Sequence, residues 1–375
     1  VSVPVVLLGP QRFDPTLGEA VRELGIEGPI ATITAGWQER EAEDGELHEH
    51  LGKRTVNLKL YARTDDVWKR DPELRSAHRA RQDRLRHKQD FYRIRLEHEL
   101  DAAFVIQTRT APREILHEED HFSIRALQEL DEAHLAQCRA ERARFDDKWR
   151  PTTRDAVARH RAELREIVAR CAAVAIAGGH VATLLNRLEL FGMEEILAGK
   201  PLFAWSAGAM AISERVVLFH DSPPQGQGAA EILDRGLGLV PAVVPLPHPD
   251  QRLRLEDRER MGLFARRFAP ALPLTFRNRT RITWDGTAFV NGHGVERVCS
   301  DGSLERHARW AVDGRGEGDS LSLGPGSGAP SESRVSHVDI RGLVPGTPTP
   351  AAGSSRGGSS GAGSSGGGSS EGAGG

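Results

Sequence analysis

Pro201-Leu-Phe-Ala-Trp-Ser-Ala-Gly-Ala-Met210 is the stretch from which the fold of this chain can be read. Pro201 to Trp205 is a short apolar run without helical period, the pattern of a buried strand. It breaks at Ser206 into Ala207-Gly208-Ala209, so that apart from Trp205 every neighbour of the serine is small. Small residues are needed where a strand turns sharply into a helix and the turning side chain is held strained and exposed. Ala204-x-Ser206-x-Gly208 has the form of a nucleophile elbow, with alanine for the first glycine. An elbow here pushes the Ser206 hydroxyl out of the strand's end and points the Ala207 amide and a helix N-terminus at it. The competing reading is a small-residue contact between helix and sheet.

The chain has 375 residues and a formal net charge of −3, too near neutral for a dedicated nucleic-acid binder. Its 3 cysteines, Cys138, Cys171 and Cys299, lie far apart with no Cys-x-x-Cys. They predict neither a disulfide framework nor a zinc site, and they suit a reducing, cytoplasmic compartment. Val1 to Leu8 lacks a basic leader and reads as a strand, and no run reaches membrane-spanning length. From about Gly314 the chain is Gly, Ser, Pro and Ala, with too little apolar surface to offset the entropy of ordering.

Short apolar runs alternate with helical patterns in the first part: Val3 to Leu8, Ile30 to Thr34 and Val56 to Tyr61 read as strands, with Pro15 to Leu24 as a helix. That rhythm predicts a doubly wound, mostly parallel α/β sheet. It stops at Asp66. Asp71-Pro72 opens a long helix from Glu73 to about Thr110, and a second runs from about Glu119 to Asp147. The expected organisation is residues 1–65 as the first part of the core, 66–150 as an inserted helical hairpin, 151–312 as the second part with the elbow, and 313–375 as a disordered tail. The hairpin is expected to project, with a basic first arm and an acidic return arm, and the sheet to close without it. Its functional readings are a homo-oligomerisation arm or a dock for an acidic partner. Only Phe91 and Tyr92 interleave with the basic residues, which is thin for stacking single-stranded nucleic acid.

Ala172 to Ala177 reads as a fourth strand, followed at once by Gly178-Gly179-His180 and a helix from Val181 to about Leu190. Amides of Gly178 and Gly179 suit the second half of an oxyanion hole whose first half is Ala207. A serine needs a base, and the base needs an orienting group. Beyond Ser206 the candidate bases are His220, after the strand Arg215 to Phe219, and His248, in a proline-bounded loop. Asp221 also follows a strand end. Ser206, Asp221 and His248 thus all stand at strand ends, which a parallel sheet gathers on one edge.

Ala172 to His248 resembles the dipeptidase E and cyanophycinase family of serine peptidases, whose fold is similar to that of class I glutamine amidotransferases. The resemblance rests on Gly178-Gly179-His180, Leu184-Leu185, Trp205-Ser206-Ala207-Gly208-Ala209, an acid fifteen positions after the serine, and Pro247-His248. It implies Ser206 as nucleophile, His248 as base and Asp221 as the acid that fixes the imidazole tautomer, with no metal or organic cofactor. His180 stands where the family usually has asparagine, and Ala204 where it has glycine. Relatives that recognise aspartyl peptides suggest His180 and Arg252 as contacts for an acidic substrate group. The absence of a cysteine at the elbow disfavours a thiol-dependent glutaminase.

The implied activity is hydrolysis of a small peptide or isopeptide bond through an acyl-enzyme. Two readings compete: a catalytically idle core that serves as a binding or scaffold module through its hairpin, and an α/β-hydrolase esterase, whose acid and histidine normally stand much farther beyond the nucleophile.

Overall fold

The strand runs find partners in the order their burial dictates. The computed structural model describes residues 3–221 and 228–312, so the tail expected at 313–375 lies outside the described residues. Strands β1 (Val5–Leu8), β2 (Ile30–Ile33), β4 (Ala173–Ile176) and β5 (Leu202–Trp205) are buried at every position, while β3 (Thr55–Asn57) is partly exposed. They pair in parallel in the order β1-β5-β4-β2-β3, with Val5 opposite Leu202 and Ile176 opposite Ala204. Runs apolar on both faces belong inside a parallel sheet, and the least apolar belongs at its edge. Beyond β1 the same sheet continues antiparallel through β10 (Arg281–Trp284), β11 (Ala288–His293) and β14 (Trp310–Ala311). The result is an α/β fold on a mixed sheet.

Alternate side chains of each strand enter two separate cores. Val6, Leu8, Ala173, Ala175, Phe203 and Trp205 pack on one face with residues of α1 (Leu17–Glu23) and α2 (Gly45–His50). Leu7, Val174, Ile176 and Ala204 pack on the other, with residues of α3 (Leu60–Arg70), α6 (Asp155–Arg170), α7 (Val181–Leu190), α8 (Met193–Leu197) and α9 (Ala207–Ile212). The two-residue period of a strand produces this division. The third strand is shorter than its pattern predicts. Asn57 ends it by donating to Thr34 Oγ1 and Asp44 Oδ2 and accepting from the Lys59 amide, and α3 then begins at Leu60, so Tyr61 is helical.

After α9 the chain leaves the main sheet. β6 (Arg215–Leu218) pairs only with β7 (Glu231–Arg235). β8 (Val243–Pro247) lies parallel to β9 (Leu272–Phe276) in a four-stranded sheet with β12 (Glu296–Val298) and β13 (Leu304–Glu305). The short α10 (Pro249–Arg252) follows β8, and α11 (Arg258–Phe268) precedes β9. Ser206, Asp221 and His248 therefore follow strands of three different sheets. The edge of one parallel sheet is not what gathers them.

The inserted helices are α4 (Pro72–Gln107), capped by Asp71 Oδ1 on the Leu74 amide, and α5 (Arg113–Trp149). Charge joins the two arms, with Arg84 bonding Glu141 at 3.0 Å. The hairpin does not stand off the core, however. Asp131, 1% exposed, accepts from Arg267 Nε and Nη2 at 2.7 Å each and from the Tyr92 hydroxyl at 2.7 Å. Arg267 also donates to the Ala230 carbonyl at 2.8 Å. Arg142 bonds Asp234 and Glu189, and Arg93 bonds Glu231. The hairpin is therefore seated on the core and does not project from it: its Asp131 is the counter-charge of the buried Arg267, and core carboxylates receive its own Arg142 and Arg93. Among the described residues no helix is long and apolar enough to cross a membrane.

Breaking a buried ion pair leaves an uncompensated charge. Asp131→Ala should therefore lower unfolding stability by about 3–5 kcal/mol in urea titration. Replacing Asp71 to Asp147 by a Gly/Ser linker should give insoluble protein. A soluble, cooperatively folding deletion would return the hairpin to the status of an appendage.

Candidate active site

Close backbone approach builds the elbow. Ser206 has φ 49° and ψ −123°, a conformation that costs a non-glycine residue energy and that clusters at functional sites. Its helix, α9, runs directly over the end of β4. A Cβ on Gly208 would lie 2.3 Å from the Ile176 carbonyl oxygen and 2.9 Å from that of Ala177. Only glycine permits this crossing. A Cβ on Gly178 would lie 2.8 Å from Ser206 Cβ and 3.5 Å from both its Oγ and the Ala207 nitrogen. Gly178, Ser206 and Ala207 are thus brought together.

Gly179 has φ +114° and abuts Gly36, whose carbonyl accepts from the His180 amide at 2.7 Å. His180 is exposed and caps α7. Its Nδ1 accepts from the Thr183 amide at 3.1 Å and lies 3.0 Å from the Thr183 hydroxyl. Asparagine is a preferred residue for such a cap, so histidine here keeps the helix start while changing the side chain presented beside it. Sequence reasoning missed Gln38, in the 3-10 segment Ala35–Arg40 that follows β2. It holds φ 59° and ψ −125°, nearly the Ser206 conformation, and donates to Thr183 Oγ1 at 3.1 Å. No pattern around it signals that backbone.

His248 follows β8 with φ 55° and ψ 48° and is partly buried. Its amide donates to the Phe276 carbonyl at 3.2 Å, while α9 packs against β8. Burial, aided by the charge of Arg252, holds its imidazole below the ordinary histidine pKa. Arg252 is exposed, lies over the Phe219 ring at 5.9 Å, and has no carboxylate partner among the described residues.

Asp221 is buried and fully engaged. Its Oδ2 accepts from the Arg254 amide at 2.8 Å and its Oδ1 from Arg260 at 2.7 Å, while its own amide donates to the Arg252 carbonyl at 2.7 Å. Asp221 is therefore tied to the segment that follows His248, and no hydrogen bond joins it to the imidazole among the described residues. Arg260 was not legible as a partner, since nothing in the sequence relates a helical arginine to an acid thirty-nine positions earlier. His220 leaves Nδ1 buried without a partner among the described residues. Nor do any three His, Cys, Asp or Glu side chains among them gather as a metal site.

Residues 140–284 match the model of peptidase family S51. The chain is also similar to the crystal structure of a peptidase from an acI-B1 Actinobacterium, at 14% identity, with a TM-score of 0.40, 80% of this chain and 91% of that one covered. A putative Peptidase E protein from Listeria monocytogenes EGD-e aligns at 19% identity with a TM-score of 0.26, over 36% of this chain and 64% of that one. No curated protein matches. The stretch from Ala172 to His248 that carries the resemblance lies inside the segment that matches the peptidase family model.

Gly208→Ala should cost at least about 1–3 kcal/mol, because the added methyl meets backbone that cannot turn aside. Urea denaturation reads the loss. An unchanged midpoint would mean that α9 has room to shift away from β4.

Proposed function

We propose that this protein hydrolyses a small peptide or isopeptide bond through an acyl-enzyme formed on Ser206. The observation that carries the proposal is the strained Ser206 backbone at the end of β5, with Gly178 against its side chain, inside the segment that matches the peptidase family. Ser206 Oγ attacks the carbonyl carbon and passes its proton to His248, which then delivers it to the leaving amine. Water then attacks the acyl carbon as His248 takes its proton; the bond to Oγ breaks, His248 returns the proton to Ser206, and the acyl group leaves as the acid. The amides of Ala207 and Gly179, with Gly178 leaving their approach open, receive the developing oxyanion. Asp221 fixes His248. Supporting that role, its amide donates to the Arg252 carbonyl and its carboxylate accepts from the Arg254 amide, both on the segment leading away from the histidine.

Arg252 is assigned to a carboxylate of the substrate, because its guanidinium lacks a carboxylate partner among the described residues and its charge is felt at His248. His180, next in sequence to Gly179, is assigned as a second polar contact. A core that is catalytically idle is the second reading. What favours it is the engagement of Asp221 by Arg260 and not by the imidazole.

A fluorophosphonate probe should label Ser206, and a dipeptide library should yield substrates for the wild type. Ser206→Ala should lower turnover by on the order of a thousandfold or more with the fold intact. Failure of the wild type to label or to cleave any library member would favour the idle module.

The pH profile follows from the base. A histidine of lowered pKa stays neutral, and so remains a base, below its ordinary value near pH ~6.5. The acid limb of kcat/KM should lie below that value. Arg252→Gln removes one of the two causes of the lowering and should move the limb to higher pH. A limb that stayed in place would detach Arg252 from the histidine.

A further inference from the structure

We propose that the outer face of α4 is the surface through which two copies of this chain pair, their α4 helices side by side and parallel. Among the described residues the large apolar side chains left exposed are Phe13, Val56, Phe91, Ile94, Val105, Ile115 and Phe122, and the last five all belong to the hairpin. Scattered exposed apolar side chains are ordinary, whereas a clustered set marks an interaction surface. On α4 the set is ordered. Phe91, Ile94, His98 and Val105 follow one another at steps of three, four and seven residues, and all are exposed, the three apolar ones at 60%, 55% and 48%. That is the spacing of a coiled-coil seam, here about 21 Å long. The residues that α4 buries, among them Gln89, Tyr92, Leu96 and Ala103, lie on the opposite side of the helix. Docking on the core therefore leaves the seam open.

Charge selects the occupant. With Phe91 and His98 at the a positions and Ile94 at d, the flanking g positions are Asp83, Asp90 and Glu97, and the e positions are Lys88, Arg95 and Ala102. In a parallel pair each g residue faces the e residue five positions later on the other helix. Asp83 then faces Lys88 of the second copy and Asp90 faces its Arg95, each contact made twice by the two-fold symmetry. An antiparallel pair sets Asp90 against Glu97 and Lys88 against Arg95, like against like. Within one copy these groups are loosely held. Asp90 lies 3.6 Å from Arg93 and Asp83 lies 3.5 Å from Arg86, both exposed pairs of little worth. Arg95 donates to the Phe91 carbonyl at 3.4 Å. Lys88 already lies 3.6 Å from Glu141, so the Asp90–Arg95 contact carries the larger share. His98 and Asp101 are the polar positions of the seam, which cost stability and fix register. Ile115 and Phe122 on α5 do not offer the same fit, because Glu114, Glu118 and Glu119 around them repel a second copy of themselves.

Sedimentation of the whole chain over a concentration series should show a dimer at the high end. Phe91→Ser with Ile94→Ser, at exposed sites that the fold does not need, should raise the dissociation constant at least about tenfold. Asp90→Arg alone should weaken the dimer, and Asp90→Arg with Arg95→Asp should restore it, since both signs are exchanged. Ile94→Cys treated with oxidised glutathione should give a band of twice the chain mass on a non-reducing gel, because a parallel seam sets position 94 against itself. The native Cys138, Cys171 and Cys299 are buried, so the wild type should give no such band. A single chain mass at every concentration overturns the proposal, and so does a dimer that survives the paired serine substitutions. A serine-sensitive dimer that the charge exchange fails to restore, or that Ile94→Cys fails to cross-link, overturns the parallel arrangement. None of these measurements uses a substrate, so the peptidase reading stands or falls apart from them.

Discussion

The approach of α9 to the end of β4 is the steric constraint from which the site is built. Backbone comes so near backbone that residue 208 must lack a side chain, and Gly178 must lack one for Ser206 to sit where it does. Parallel strands pressed together by apolar residues on both faces supply the force that holds this contact closed. The strain at Ser206 is a local cost that the surrounding burial outweighs. Gly36, Gly178 and Gly179 extend the same economy of side chains to the neighbouring turn, where the His180 amide bonds the Gly36 carbonyl.

A different force sets the second half of the site. Past α9 the chain builds smaller sheets, and buried charge joins them to the hairpin. Arg267 with Asp131 and Tyr92, and Arg142 with Asp234 and Glu189, span distances in sequence that no local rule connects. Such pairs cost desolvation and are retained only where every partner is in position. They give the hairpin one docking geometry, and they place α11 between the hairpin and Asp221.

Much of the first half was legible. Strands β1, β4 and β5 are unbroken apolar runs, and β2 is interrupted only by Thr32. Helix α7 has the predicted bounds, and Pro72 after the Asp71 cap marks the start of α4. The elbow was legible because small residues around a serine have few other uses beside a buried strand. Errors arose where polar side chains settled the outcome. Asn57 ended β3 early through bonds to Thr34 and Asp44, and the basic and acidic arms looked like solvated surface because charged residues usually are.

The sequence by itself determined the elements, the central parallel sheet and the elbow, since each follows from local periodicity and from residue size. Only the tertiary structure decided that Asp221 is held by Arg260, that His248 follows a strand of another sheet, and that the hairpin is anchored in the core. The physical reason is that apolar patterns repeat along the chain and can be read there, whereas the partner of a buried charge is chosen by the fold's geometry, often more than a hundred residues away, as Asp131 is from Arg267.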